Sequence, residues 1–427
     1  MRPSRINRRL VAALAALVFV LGAAAVAVIT GGDEGSERPT AVRPTSPSAP
    51  VLPTTSADGA TTPPTTPAQP APFPTTDCTP LKPAGDGALG LGIPRPARLE
   101  VDAVERAAFD AAAACLAAMG GAPPVLRTQL PIDAVRRKAV GRDEHAELQA
   151  YARLLLAAPP GTRGIISIRA HDFTRCGRGG APRAVERTTL GPDEALRRCE
   201  YPSVDLYREL FTQLQATFSA ALGPGIDVRW TAWNEPDHPT FTLLDGFGQE
   251  GAARRAGEYW TQAAAVVGAD HVLAGEFADR DLPTLLKLRD AFVAGTGGVA
   301  PPSWAIHPYR DLTAPAAQHV VDGFEQAVAP APVWLTEVGA RLSGREGITG
   351  KPGAQRARGE TLRARVERTP TRVVLYLLTP PPAPQNKAQD GWDSAIADRA
   401  ARARPFLCGL AALPAARCPG SPAKFGG

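Results

Sequence analysis

After residue 80 the chain alternates between two hydrophobic patterns. Short apolar, strand-like runs occur at Leu89–Ile93, Val125–Leu130, Gly164–Arg169, Asp227–Trp233, His271–Glu276, Trp304–Tyr309, Val333–Glu337 and Arg372–Leu378. Longer segments with apolar residues three and four apart follow them, near Asp102–Met119, His145–Ala157, Val204–Leu222, Ala253–Val267, Leu282–Ala294, Ala314–Ala327, Gln355–Glu367 and Asp398–Leu413. Within the third of these, Leu206, Leu210, Phe211, Leu214 and Phe218 form the stripe of an amphipathic helix. Eight strands, each followed by a helix, predict a (β/α)8 TIM barrel over residues 81–427. A doubly wound open sheet is the main alternative. It is disfavoured because "GLGIPRPARL" after the first strand carries prolines where a nucleotide-binding sheet needs a glycine-rich phosphate turn.

Ahead of that domain lies a different pattern. Leu10 to Ile29 is an unbroken apolar run preceded by Arg2, Arg5, Arg8 and Arg9. About 20 residues at ~1.5 Å each span the ~30 Å hydrocarbon core of a bilayer, and the positive-inside rule would keep the arginines cytoplasmic and export the rest. Ala23, Ala25 and Ala27 could instead form a signal-peptide cleavage site, but secretory apolar regions usually run only about 7 to 15 residues, which favours an uncleaved anchor over residues 1–30. Either alternative makes the protein extracytoplasmic. Residues 31–80 are Pro, Thr, Ser and Ala with few large apolar side chains, so this segment reads as an extended stalk that does not fold by itself.

Composition adds exclusions. The formal charge of +5 falls close to balance once the N-terminal arginines are set aside, and no stripe of Lys and Arg with interleaved aromatics follows, so nucleic acid is not an expected partner. Six cysteines in an exported domain suit disulfides, with Cys176–Cys199, Cys408–Cys418 and Cys78–Cys115 as the nearest-neighbour pairs among fifteen possible connectivities. No Cys-His cluster has metal-ligand spacing, and neither a metal nor an organic cofactor is expected.

Reactive groups of such a barrel sit at the carboxyl ends of its strands, because the side chains farther down are packed core. Applied here, that filter selects Arg127, Asp172, Asn234, Glu235, Glu276, His307, Tyr309 and Glu337. Glutamate is seldom buried without a partner or a task, so three of them at strand ends are informative. Two carboxyls across a barrel mouth are what glycosidic bond hydrolysis needs, one donating a proton to the leaving oxygen and the other attacking the anomeric carbon or activating water. Asn234, beside Glu235, can hold the sugar hydroxyl next to that carbon. Glu276 could bind a sugar hydroxyl or pair with Arg280. Asp172 could line the substrate cleft or cap a loop. Trp233, Trp304 and Trp334 read as core.

"TAWNEPD" at 231–237 together with "VWLTEVGA" at 333–340 resembles the Asn-Glu-Pro and Thr-Glu-x-Gly signatures of retaining β-glycosidases of glycoside hydrolase clan A, cellulase-like or β-xylosidase-like. The resemblance implies Glu235 as acid/base, Glu337 as nucleophile and Asn234 as the contact to the sugar 2-hydroxyl. It also implies, from "HPY" at 307–309, that the Tyr309 hydroxyl contacts the nucleophile, and from "VLRTQL" that Arg127 pairs with it. "GWDSAIAD" resembles the closing segment of these barrels, with Trp392 as an aromatic platform for the sugar, although "TPPPAPQNKAQD" intervenes after the eighth strand. A poly- or oligosaccharide is the expected partner, with the membrane reached through the N-terminal segment. Two other readings stand beside it: a catalytically idle carbohydrate-binding barrel, against which the two glutamates together with Asn234 argue, and an envelope transglycosylase, which uses the same residues.

Overall fold

Strands covered on both faces are apolar over most of their length, and the runs identified above close into one ring in the computed structural model of the chain. The strands β1 (Ala88–Gly92), β2 (Val125–Pro131), β3 (Arg163–Arg169), β4 (Val228–Thr231), β5 (Val272–Phe277), β6 (Trp304–Ile306), β7 (Val333–Val338) and β8 (Arg372–Leu375) pair in sequence order, all parallel. β8 returns to β1, with Arg372 opposite Ala88 and Leu375 opposite Leu91. The structure describes residues 78–81, 83–136, 144–169, 201–223, 225–238, 248–309, 319–340, 351–379, 394–398, 402–414 and 418.

The helices α1 (Ala103–Gly120), α2 (Glu144–Ala157), α3 (Val204–Leu222), α4 (Gly248–Val267), α5 (Leu282–Gly295), α6 (His319–Val328), α7 (Pro352–Arg368) and α8 (Pro405–Leu410) form the outer layer. α3 shows how periodicity becomes packing. Its stripe Tyr207, Leu210, Phe211, Leu214 and Phe218 is buried, and Phe211 meets the β4 residue Trp230 edge-on at 5.2 Å. Each such aromatic removes on the order of 150 Å² or more from water.

Inside the ring, Ala88, Val125, Ile165, Leu273, Ala305, Trp334 and Val374 fill the lower layer. The guanidinium groups of Arg163, Arg229 and Arg372 lie 5.8, 5.4 and 5.7 Å from the centre of the Trp334 ring. Farther along the same strands the inward positions turn polar, with Arg127, Ser167 and Thr231 all buried. Successive side chains on a strand alternate faces, so Val125 and Arg127 share the interior, as do Ile165 and Ser167.

Several expected boundaries move. β4, β6 and β8 end after Thr231, Ile306 and Leu375, short of the expected Trp233, Tyr309 and Leu378. The helix expected over Asp398–Leu413 is corrected to Pro405–Leu410, and Ala397 pairs instead with Ala403 in an antiparallel bridge. Proline lacks an N–H and disfavours helical geometry in the residue before it, so the helix begins at Pro405 rather than running through it. The Cys78–Cys115 and Cys408–Cys418 disulfides form as expected, while Cys176 and Cys199 lie outside the described residues. Thr79 and Pro80 give their carbonyls to Arg363 of α7, which ties these residues to the barrel. Residues 1–77, with the apolar run, are outside the described residues, among which no helix is long and apolar enough to cross a membrane.

Candidate active site

The backbone at the carboxyl end of β4 and β5 is unusual before any side chain is considered. Asn234 N–H donates to the Ile168 carbonyl of β3 at 2.6 Å, and Glu235 N–H donates to the Glu276 carbonyl at 3.0 Å. Glu235 has φ of 45° and Glu276 has φ of 58°. Left-handed backbone on a non-glycine residue costs on the order of 1–3 kcal/mol and persists only where the surroundings enforce it. Bulges contribute as well. The β5–β6 register shifts between Gly275 and Phe277, and the β7–β8 register between Leu335 and Val338. A bulge re-aims the side chains beside it, which brings Glu276 and Glu337 to one centre.

At that centre Arg127 is the hub. Its Nε and Nη2 donate to Glu276 Oε1 at 3.0 and 2.7 Å, and Nη2 also donates to Asn234 Oδ1 at 3.0 Å. Nη1 lies 2.9 Å from Glu337 Oε1, an ion pair in which the N–H does not point along the contact. Glu337 accepts further hydrogen bonds from Tyr309 Oη at 2.9 Å and Gln129 Nε2 at 2.6 Å. Glu235 Oε1 lies 2.7 Å from His307 Nδ1. One oxygen of Glu235, one of Glu337 and a His307 nitrogen all fall within 4.8 Å of one another.

Those three groups have the spacing of metal ligands, but the donors around them oppose a cation. Tyr309 and Gln129 direct hydrogens at Glu337, and Arg127 adds a positive charge within ion-pair reach. A metal would have to displace all of them. Asn234 has its oxygen held by Arg127, which turns its amide N–H₂ group toward the mouth as a donor for a bound hydroxyl.

Electrostatics separate the carboxyls. Burial alone would raise the pKa of Glu276, but Arg127, His307 and Thr231 hold it well below the ordinary carboxylate range. Burial opposes the charge on His307, yet Glu337, Glu235 and Glu276 push its pKa up to about 10. Glu337 is raised by burial and by the charges of Glu235 and Glu276, with His307 and Arg127 opposing. Burial would raise Glu235 too, but the His307 hydrogen bond and the charges of His307 and His238 bring it down. Glu235 is thus the more acidic and His307 the more basic partner of the hydrogen bond between Glu235 Oε1 and His307 Nδ1.

The turn after Glu235 is pinned. His238 N–H donates to the Glu235 carbonyl, and Asp237, fully buried, accepts from Ala278 N–H at 2.9 Å and Arg280 Nε at 2.8 Å. Arg280 therefore pairs with Asp237, and the alternative pairing with Glu276 does not form. Asp237→Ala strands the buried Ala278 N–H and should cost about 1–3 kcal/mol of stability. With Glu235 less firmly aimed, kcat should also fall more than KM rises. Thermal unfolding and steady-state kinetics check both effects.

Of the residues selected from the sequence, Arg127, Asn234, Glu235, His307, Tyr309 and Glu337 converge, and Glu276 sits beneath them. Asp172 and Trp392 lie outside the described residues. Sequence reasoning missed Gln129, Ser167, Thr231 and Tyr376. Gln129 stands two residues beyond Arg127, so strand alternation puts both on the inner face, and this was a usable signal. Ser167 and Thr231 donate to Glu276 at 2.8 and 2.6 Å, and the Tyr376 ring centre lies 5.8 Å from the Arg127 guanidinium carbon. Gly92 is the space Tyr376 needs, since a Cβ there would approach its ring to 2.7 Å.

No protein-family model and no curated protein matches the chain. Solved structures do. A GH5_18 protein from Streptomyces cattleya in complex with GlcNAc aligns with a TM-score of 0.51 at 15% identity, over 77% of this chain and 79% of that one. A variant of the Streptomyces cattleya protein in complex with Manβ1-4GlcNAc aligns with a TM-score of 0.50 at 17% identity, over 76% and 79%. A GH5_18 protein from Bifidobacterium longum subsp. infantis aligns with a TM-score of 0.48 at 15% identity, over 79% and 80%. At 15 and 17% identity, the likeness to the two Streptomyces cattleya structures shows a shared barrel fold.

Proposed function

We propose that the chain is an extracytoplasmic retaining O-glycosidase acting on a β-linked poly- or oligosaccharide by double displacement. One observation carries the reading. Two differently partnered carboxyls beyond β4 and on β7 reach solvent at 8% and 5% exposure, with one oxygen of each within 4.8 Å of the other. Retaining enzymes separate their carboxyls by about 5–5.5 Å, whereas inverting ones leave ~6.5–9.5 Å for an intervening water.

In the first step Glu337 attacks the anomeric carbon and the glycosidic C–O bond breaks, while the proton shared by the His307–Glu235 pair passes through Glu235 to the leaving oxygen and leaves Glu235 ionised and His307 neutral. In the second step Glu235 accepts a proton from water as the water oxygen bonds to the anomeric carbon and Glu337 departs. Tyr309 and Gln129 hold Glu337 in line, and Asn234 offers its amide hydrogens to the 2-hydroxyl. Tyr376, part-exposed at the mouth, offers a ring for the sugar face. None of these steps calls on a metal or cofactor. The carbohydrates bound by the Streptomyces cattleya neighbours make β-mannosides the first class to test. The apolar run Leu10–Ile29 would hold the enzyme at the outer face of the membrane.

The test is proton NMR of the first product formed from a panel of aryl β-mannosides, β-glucosides and β-xylosides. Initial release of the β-anomer supports the mechanism. Initial release of the α-anomer would replace it with inversion, and no turnover across the panel and across longer β-glycans would leave a binding barrel.

A further inference from the structure

A retaining glycosidase needs two reactive carboxyls and one exchangeable proton. This site holds three carboxyls. Glu276 is 0% exposed, so a sugar at the mouth does not reach it. Its Oε1 accepts from Arg127 Nε, Arg127 Nη2 and Ser167 Oγ, and its Oε2 accepts from Thr231 Oγ1 at 2.6 Å. Donors from β2, β3 and β4 thus surround it, an arrangement that suits a permanent anion and no proton carrier. Glu276 also touches the acid/base by two routes. Its main-chain carbonyl accepts the Glu235 N–H at 3.0 Å. Its Oε1 lies 3.5 Å from His307 Nε2, an electrostatic contact too long for a good hydrogen bond, while the opposite ring nitrogen of His307 holds Glu235.

We propose that Glu276 is a positioning residue whose fixed negative charge, set against Nε2 of His307, keeps on the His307–Glu235 pair the proton that Glu235 delivers to the leaving oxygen. The inference rests on the reading of Glu235 as the acid/base. Two basic groups, Arg127 and His307, face three carboxyls, Glu235, Glu276 and Glu337. Deleting the Glu276 charge removes the carboxylate in ion-pair reach of Nε2, and the pair then gives up its proton to solvent at lower pH. The other titratable groups around the pair are Arg127 on β2, Asp237 and His238 after β4, Tyr309 after β6 and Tyr376 after β8. Glu235 and Glu337 approach His307 through Nδ1, at 2.7 and 3.8 Å, so neither replaces Glu276 at Nε2. The charge of Glu276 also disfavours ionisation of both reactive carboxyls.

Glu276→Gln and Glu276→Asp, made in the full chain, test this with two aryl glycosides of the accepted sugar. One carries a phenol leaving group that needs a proton, the other a 2,4-dinitrophenol that does not. In Glu276→Gln the alkaline limb of kcat/KM should move down by about one pH unit or more, and the phenyl substrate should lose at least ~10-fold in rate while the dinitrophenyl substrate loses much less. Glu276→Asp, which keeps the charge, should return most of the limb. Equal losses on both substrates with an unmoved limb would show a scaffold residue only and overturn the proposal.

A second readout does not depend on turnover. Nitrogen NMR of His307 should show its proton lost at lower pH in Glu276→Gln than in the wild type, and coincident titrations overturn the proposal even if no glycoside is ever cleaved. Should Glu276→Gln not fold, carboxyl-labelled wild-type protein decides. The Glu276 signal must show no titration step between about pH 4 and pH 9, and a step in that window overturns the idea.

Discussion

Glu337→Gln should lower kcat by more than about 10⁴-fold while leaving sugar binding within a few-fold of the wild type. The amide keeps the volume of the side chain but cannot form the covalent bond to the anomeric carbon. It also places an N–H₂ among the Tyr309, Gln129 and Arg127 donors, which costs stability without opening a cavity. Glu235→Ala should behave differently. General acid catalysis contributes about 10² to 10⁴-fold, so its loss should be severe for a phenyl leaving group and small for the first step with a dinitrophenyl one. Added azide should then rescue the second step and yield a glycosyl azide of retained configuration, because the small anion fits where the carboxyl stood. Steady-state kinetics on both leaving groups, with calorimetry of sugar binding to Glu337→Gln, check the set. Turnover by Glu337→Gln near the wild-type rate would remove Glu337 from the chemistry.

Arg127→Met should be the most destabilising single change in the site. Arg127 is 1% exposed and faces Glu276 and Glu337, so its loss strands two buried carboxylates. Breaking a buried ion pair by removing one partner costs about 3–5 kcal/mol, a large share of the roughly 5–15 kcal/mol by which domains are stable. The pH dependence has a definite sign. Glu276 has a depressed pKa in the folded wild type, so its contribution is fully present above its unfolded value near ~4.3 and fades as pH falls through the folded one. In Arg127→Met the carboxyl is penalised while ionised and relieved when protonated. The stability gap between variant and wild type should therefore be widest near neutral pH and narrow in acid. Urea denaturation at several pH values measures it, and a gap that does not change with pH would mean that Glu276 was never held ionised by Arg127.

How much of this was legible beforehand depends on the range of the interactions. Strands of a parallel barrel are buried on both faces, so each appears as a local apolar run, and helix stripes repeat within a few residues. The barrel and the strand-end places of Glu235 and Glu337 are properties of short windows, and the sequence by itself determined them. The proline that starts α8 at Pro405 was equally local, and the longer helix expected there overlooked it. Only the tertiary structure decided what each strand-end group does. Arg127 and Glu276 are 149 residues apart in the chain, and Gln129 and Glu337 are 208 apart. No local pattern encodes which donor meets which carboxyl across a barrel mouth. Two bulges and two left-handed glutamate backbones choose those partners, and they exist because the closed ring holds them against their own conformational cost.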